Sequence, residues 1–178
     1  MASWMIHLRV AQGIYEKLDL SEKEAFVMGN IAPDSGVPAE DGTGFVPDAT
    51  VSHFRIVDEN GIKEVHEEQF IARYFTKEKC ESYSEKEYAF YFGYLVHLLT
   101  DKLWASKIVY GAKEKFSDLF EQDKTVFWKL VKRDWYDLDF LYLKKHPEFP
   151  AFRIYEGIKE FKNTYLDFFG EEAFEQRK

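Results

Sequence analysis

His97 and Asp101 stand four residues apart, a spacing that on a helix sets both side chains on one face, a turn apart. The same face carries Phe90, Tyr94, Trp104 and Ile108, so it is expected to point into the protein. A buried ionised carboxylate is costly unless a cation or a metal answers it. Two readings follow. The pair is half of a divalent-metal site, joining a borderline imidazole base to a hard anion, or it is a buried His–Asp hydrogen bond tying two helices together. Taken alone, the pair favours the hydrogen bond.

Three further residues change that weighing. His7 lies beside the apolar stripe of the first predicted helix, where an isolated histidine is more often a satisfied core residue than a ligand. Asp34 follows Gly29-Asn30-Ile31-Ala32-Pro33, where a helix ends and a carboxylate can project into a cavity; its plainer role is a turn aspartate bonding nearby amides. His53, in Ser52-His53-Phe54, is expected to face inward. His66, among Glu64, Glu67 and Glu68, reads as part of a solvated face, and His146, before Pro147, as part of an inter-helix turn.

Ser3-Trp4-Met5-Ile6-His7, Gly29-Asn30-Ile31-Ala32-Pro33-Asp34, Ser52-His53-Phe54 and the run from Tyr91 to Asp101 occur in that order. Together they resemble the zinc-dependent phospholipase C family, whose helical fold is shared with the P1-type nucleases. The resemblance covers roughly the first hundred residues. It implies one zinc held by Asp34, His53, His97 and Asp101, with Asp101 bridging to a second zinc that also takes His7. It implies that Asp34 is the general base, or the group that orients the metal-bound water. The sequence departs from the family in two places. Met1, Ala2 and Ser3 precede Trp4, so Trp4 lacks the free amine that binds metal in secreted members. Lys107 stands near the place of one third-metal histidine, and His146 has Pro150 four residues on where a carboxylate is required. A full trinuclear cluster is therefore not expected. Asp134 and Asp137 either replace part of it or form a solvated helix face with Lys132 and Arg133, and the second reading is preferred.

These side chains need a scaffold, and the apolar spacing is mostly helical. Trp4, Leu8, Ala11, Ile14, Tyr15 and Leu18 line one stripe of a helix from Trp4 to Leu18. Ser21 with Glu24 reads as a capping box opening a second helix that stops near Ala32, before Pro33. Prolines and glycines from Pro33 to Val51 predict a long loop, which in a compact domain is usually functional. A helix is expected around Glu64 to Phe75. Ser84 and Glu87 form a second capping box, opening the helix that carries His97 and runs to about Tyr110. Further helices are expected near Lys124 to Lys145 and Ala151 to Phe169. Two-residue alternation is absent except for a few residues near Phe54. The expected fold is all-α, a single domain over residues 1–178.

Composition bounds the rest. Seventeen Phe, eleven Tyr and four Trp predict a large aromatic core, with a lipid-binding or stacking surface as the sharper reading. A net charge of −8 argues against a nucleic-acid partner. The single cysteine, Cys80, excludes an internal disulfide and a cysteine-based zinc site. No secretory signal or membrane-spanning run is visible, so a cytoplasmic location is expected. The oligomeric state is not legible. The expected activity is metal-dependent hydrolysis of a phosphoester, most simply a phosphodiester, such as a small phosphoester or a phospholipid headgroup. One or two zinc ions are favoured, because two or three imidazoles with carboxylates suit zinc; manganese and iron stay open. The alternative is a metal-stabilised binding or structural module without turnover.

Overall fold

The computed structural model describes residues 1–57, 59 and 63–175, and these are mostly helical. Helix α1 (Trp4–Leu18) starts at Ser3, whose hydroxyl accepts the Ile6 amide, and it buries His7, Leu8, Ala11 and Tyr15. Helix α2 (Lys23–Ile31) is buried from Ala25 to Ile31. The expected Ser21–Glu24 capping box does not form. Glu22 is the N-cap without a side-chain bond, and the Ser21 hydroxyl donates instead to Glu85 at 3.1 Å. A partner distant in sequence has taken the capping hydroxyl. A tight 3-10 turn, Ala32–Asp34, continues α2 and ends on Asp34.

The stretch expected as a loop is largely structured. Strands β1 (Val37–Pro38) and β2 (Phe45–Val46) form a short antiparallel hairpin, followed by helix α3 (Ala49–Ser52). The Asp48 carboxylate caps α3 by accepting the Thr50 and Val51 amides. Strands β3 (Arg55–Val57) and β4 (Lys63–Val65) pair antiparallel with Arg55 opposite Val65. Glu64 and Val65 are therefore strand, not the start of a helix, because their backbone groups pair with β3 and Val65 is buried. The helix expected there begins later, as α4 (Glu67–Tyr74), and α5 (Lys77–Ser82) follows.

Helix α6 (Glu85–Trp104) opens with the predicted Ser84–Glu87 capping box. It continues through a π-helical turn, Ala105–Val109, into α7 (Tyr110–Lys115). The helical path reaches Tyr110 as expected, but its inward face does not. Phe90 and Tyr94 are buried, whereas Trp104 is half-buried and Ile108 exposed, because the path runs past the edge of the core. After α8 (Ser117–Gln122), α9 (Lys124–Lys145) has the predicted bounds. Helix α10 (Pro150–Gly157) stops well short of Phe169. Beyond it, Asn163 replaces helical bonding: its amide donates to the Leu166 and Phe169 carbonyls, and its oxygen accepts the Tyr165 and Leu166 amides. That irregular segment folds Phe161, Leu166, Phe169 and Phe174 onto the core.

The contact that sets the geometry of the interior is α2 against α6. A Cβ on Gly29 would stand 2.0 Å from the Phe90 carbonyl oxygen, and one on Gly93 would stand 2.1 Å from that of Phe26. Two backbones this close require glycine on each. Around them Phe26, Phe70, Phe90, Tyr94 and Phe174 are buried, so the aromatic core is realised. Aromatic surface also exists, most plainly Phe140 on α9, at 71 % exposure. Among the described residues, no helix is long and apolar enough to cross a membrane.

Candidate metal centre

The ends of several elements meet beside the α2–α6 contact. His7 comes from α1, Asp34 from the 3-10 turn, His53 from the end of α3, and His97 and Asp101 from α6. His7, His53, His97 and Asp101 are buried; the Asp34 side chain is 12 % exposed. The placement is a backbone affair. Because α2 lies so close to α6, the Asn30 carbonyl reaches the His97 Nδ1 at 2.7 Å, and the Asn30 amide donates to the Gly93 carbonyl at 3.3 Å. The Tyr94 hydroxyl donates to the Ser52 carbonyl and ties the end of α3 to α6. Phe54, with a φ of 49°, turns the chain in the left-handed region between His53 and Arg55. That conformation costs a non-glycine residue about 1–2 kcal/mol, and Phe54 is held there by edge-on packing against Phe70.

Hydrogen bonding fixes which ring nitrogens are free. A carbonyl can only accept, so His97 Nδ1 carries the proton it donates to Asn30, and its Nε2 keeps a lone pair. With the Ser52 hydroxyl donating to the Asp48 carbonyl at 3.2 Å, it accepts from His53 Nδ1 at 2.9 Å and His53 Nε2 is a lone pair; with the hydroxyl turned to Nδ1, Nε2–H donates to Asp34 instead. These two Nε2 atoms face each other at 3.3 Å, and His53 Nε2 lies 3.2 Å from Asp34 Oδ1. In the first tautomer two imidazole lone pairs and a carboxylate oxygen point at one another and call for a cation; in the second His53 Nε2–H bonds Asp34 directly. Nitrogens about 2.0–2.1 Å from a tetrahedral zinc stand about 3.3–3.4 Å apart, so the donor set fits such an ion. Ligand histidines commonly donate their other N–H to a carbonyl or another second partner, as both do in the first tautomer.

A second group shares His97. His7, His97 and Asp101 place one ligand atom each within 4.8 Å of one another, as do Asp34, His53 and His97, which makes each group a candidate by distance. His7 is fully buried with neither ring nitrogen hydrogen-bonded; its Nε2 is 3.5 Å from Asp101 Oδ1, too long for a good bond. Its ring stacks on His97 with centroids 3.7 Å apart and planes 3° from parallel. Asp101 Oδ1 accepts the Ala2 amide at 2.8 Å, and Oδ2 accepts from the Arg55 guanidinium at 3.1 Å.

The electrostatics favour a cation. Burial would raise both carboxyls. At Asp34 the bond to His53, with the fields of His97, His53 and His7, overcomes it and holds the group down at about 2. At Asp101 the approach of His7 Nε2 at 3.5 Å, then the fields of the neighbouring histidines, hold the carboxyl far below the usual range. Burial, then the field of His7, lowers His97 to about 3, so this ring is neutral at pH 7. Two ionised carboxylates thus face the Arg55 guanidinium, with the Met1 amine also within their field.

The five expected residues are brought together. His66 instead bonds Glu68 at 2.5 Å, and His146 packs against the Tyr142 ring at 4.3 Å. Asp134 and Asp137 are exposed on α9, and Lys107 lies in the π-helical turn. Trp4 packs edge-on against Tyr155 while the Ala2 amide reaches Asp101. Sequence reading missed Arg55, whose only signal is its place two residues after His53, and the fixing roles of Asn30, Ser52 and Tyr94. Comparison with known proteins finds no matching family model, curated protein or solved structure.

Proposed function

We propose that this chain is a metal-dependent phosphoester hydrolase, with zinc the favoured ion. One observation carries the metal half of that reading: the Nε2 atoms of His53 and His97 face each other at 3.3 Å beside Asp34, with each Nδ1 engaged elsewhere. The ordered motifs resembling the zinc-dependent phospholipase C family support the reaction class and the helical fold relationship. Asp34, His53 and His97 would hold the ion, with Asp101 and His7 adjoining. A bound divalent ion there would lower the pKa of a coordinated water from about 16 toward 7 and offset charge on the phosphate oxygens.

The chain's own groups do the rest. Asp34, the more exposed carboxylate, orients the attacking water and keeps its charge at neutral pH. A group held at about 2 is a weak proton acceptor, so orientation suits it better than proton abstraction. Arg55, with its side chain 18 % exposed on Asp101, offers a cation to an arriving anion. The second reading, a metal-stabilised module without turnover, is favoured by the depth of His7, His97 and Asp101.

Asp34→Asn separates the two readings. The amide keeps the shape and one oxygen, so fold and much of the metal binding survive. Hydrolysis of a phosphodiester such as bis-p-nitrophenyl phosphate is expected to fall about 10²–10⁴-fold, with little change in melting temperature. Zinc-loaded wild type that hydrolyses nothing across mono- and diester panels would move the assignment to the module. Undiminished turnover in Asp34→Asn would remove Asp34 from the chemistry.

A further inference from the structure

Resting on the metal-centre reading above, the geometry points to a centre that takes a single divalent ion, with Arg55 supplying the second positive charge and binding the substrate's anionic oxygen. The lone pair of an imidazole lies in the ring plane. His7 and His97 are parallel within 3° with centroids 3.7 Å apart, so no ion can lie in both planes. The His53 and His97 planes meet at 64°, so an ion can lie in both. His97 has one free lone pair, because its Nδ1–H is held by the Asn30 carbonyl. Once Nε2 serves the ion held with His53 and Asp34, a second ion would have only His7 and Asp101 among the described ligand-type residues.

Asp101 faces His7 through Oδ1 and Arg55 through Oδ2. The Arg55 guanidinium reaches Asp101 Oδ2 at 3.1 Å, the oxygen 3.9 Å from His53 Nε2, while Asp101 Oδ1 is occupied by the Ala2 amide. A carboxylate whose oxygens both accept N–H donors is poorly placed to bridge two ions. Among the described residues one guanidinium nitrogen, Nη2, is bonded to Asp101, which leaves the other donors of the planar fork for a tetrahedral oxyanion, which Arg binds with directed, charge-assisted bonds. His7, stacked on His97 with Nε2 toward Asp101, then acts as a positioning residue. The fitting substrate class is a phosphate ester with at least two non-bridging oxygens, one toward the ion and one toward Arg55.

Calorimetric zinc titration of metal-stripped full-length protein tests the stoichiometry, and inorganic phosphate then probes the loaded protein. Wild type is expected to bind one equivalent of zinc. Arg55→Gln is expected to keep that equivalent but melt at a lower temperature, because the buried Asp101 carboxylate loses its cation, while phosphate binds about 10–100-fold more weakly. Arg55→Lys restores part of the loss, because it returns the charge without the fork, and it carries the test if the glutamine variant does not fold. Two tight equivalents in wild type would overturn the single-ion inference and leave the metal reading standing. No binding at all would remove both. Equal phosphate affinity in wild type and both variants would overturn the role of Arg55.

Discussion

Replacing Gly93 by alanine is expected to destabilise the protein by about 3 kcal/mol, the upper end of what overpacking usually costs and a large part of the total stability of a domain this size. Ordinarily a glycine-to-alanine change inside a helix stabilises by about 1 kcal/mol. Here the new methyl would meet the Phe26 carbonyl oxygen at 2.1 Å, and backbone cannot yield as a side-chain tip can. Relief requires α2 and α6 to separate. Separation draws the Asn30 carbonyl off His97, so zinc affinity falls together with stability. Gly13, in α1, has nothing within 4 Å of a built Cβ, and Gly13→Ala should stabilise by about 0.5–1 kcal/mol. Denaturant melts of the two variants should therefore move in opposite directions. A stable Gly93→Ala with native zinc affinity would show that the close approach of α2 to α6 does not position the site.

His97→Ala is expected to abolish zinc binding at micromolar protein. The residue gives the one nitrogen common to both candidate ligand groups, so its loss breaks each of them. Loss of a second partner typically costs about 10–100-fold in metal affinity, and loss of a ligand should exceed that. His66→Ala and His146→Ala should leave zinc content unchanged, since those rings engage Glu68 and Tyr142. Metal analysis after dialysis against a weak chelator reads all three. Full zinc retention in His97→Ala would break the proposed donor set, and loss in His146→Ala would place a ligand where none is described.

Much of this was legible in the sequence because it is written in local periodicity. The His97–Asp101 spacing, the Ser84–Glu87 cap and the α9 bounds each depend on residues within a turn or two of one another. Elements decided by distant partners were not legible. Ser21 looked like a helix cap, but its hydroxyl is taken by Glu85, sixty-four positions away. Glu64 and Val65 carried helical spacing but pair with β3. The apolar residues after α10 fit a helix, yet Asn163 answers the backbone in another way. Within the site, residue types disclosed the candidate ligands. Their tautomers did not appear in the sequence, because a carbonyl on α2 and a hydroxyl on α3 set them. Arg55 was missed for a related reason: a left-handed residue at Phe54 sets its direction, and nothing about a phenylalanine announces that conformation.

We propose that the centre formed by His53 Nε2 and His97 Nε2 beside Asp34 is built to hold a cation. Its most direct test is the melting temperature of metal-stripped wild-type protein as free zinc is raised. At about 100 times the dissociation constant, an ion that binds only the folded state adds about 2.7 kcal/mol. For a chain of this length that is a rise of roughly 5–10 °C, which should saturate and reverse on adding chelator. A melting curve that stays fixed from nanomolar to millimolar zinc, with manganese and iron equally without effect, would contradict it.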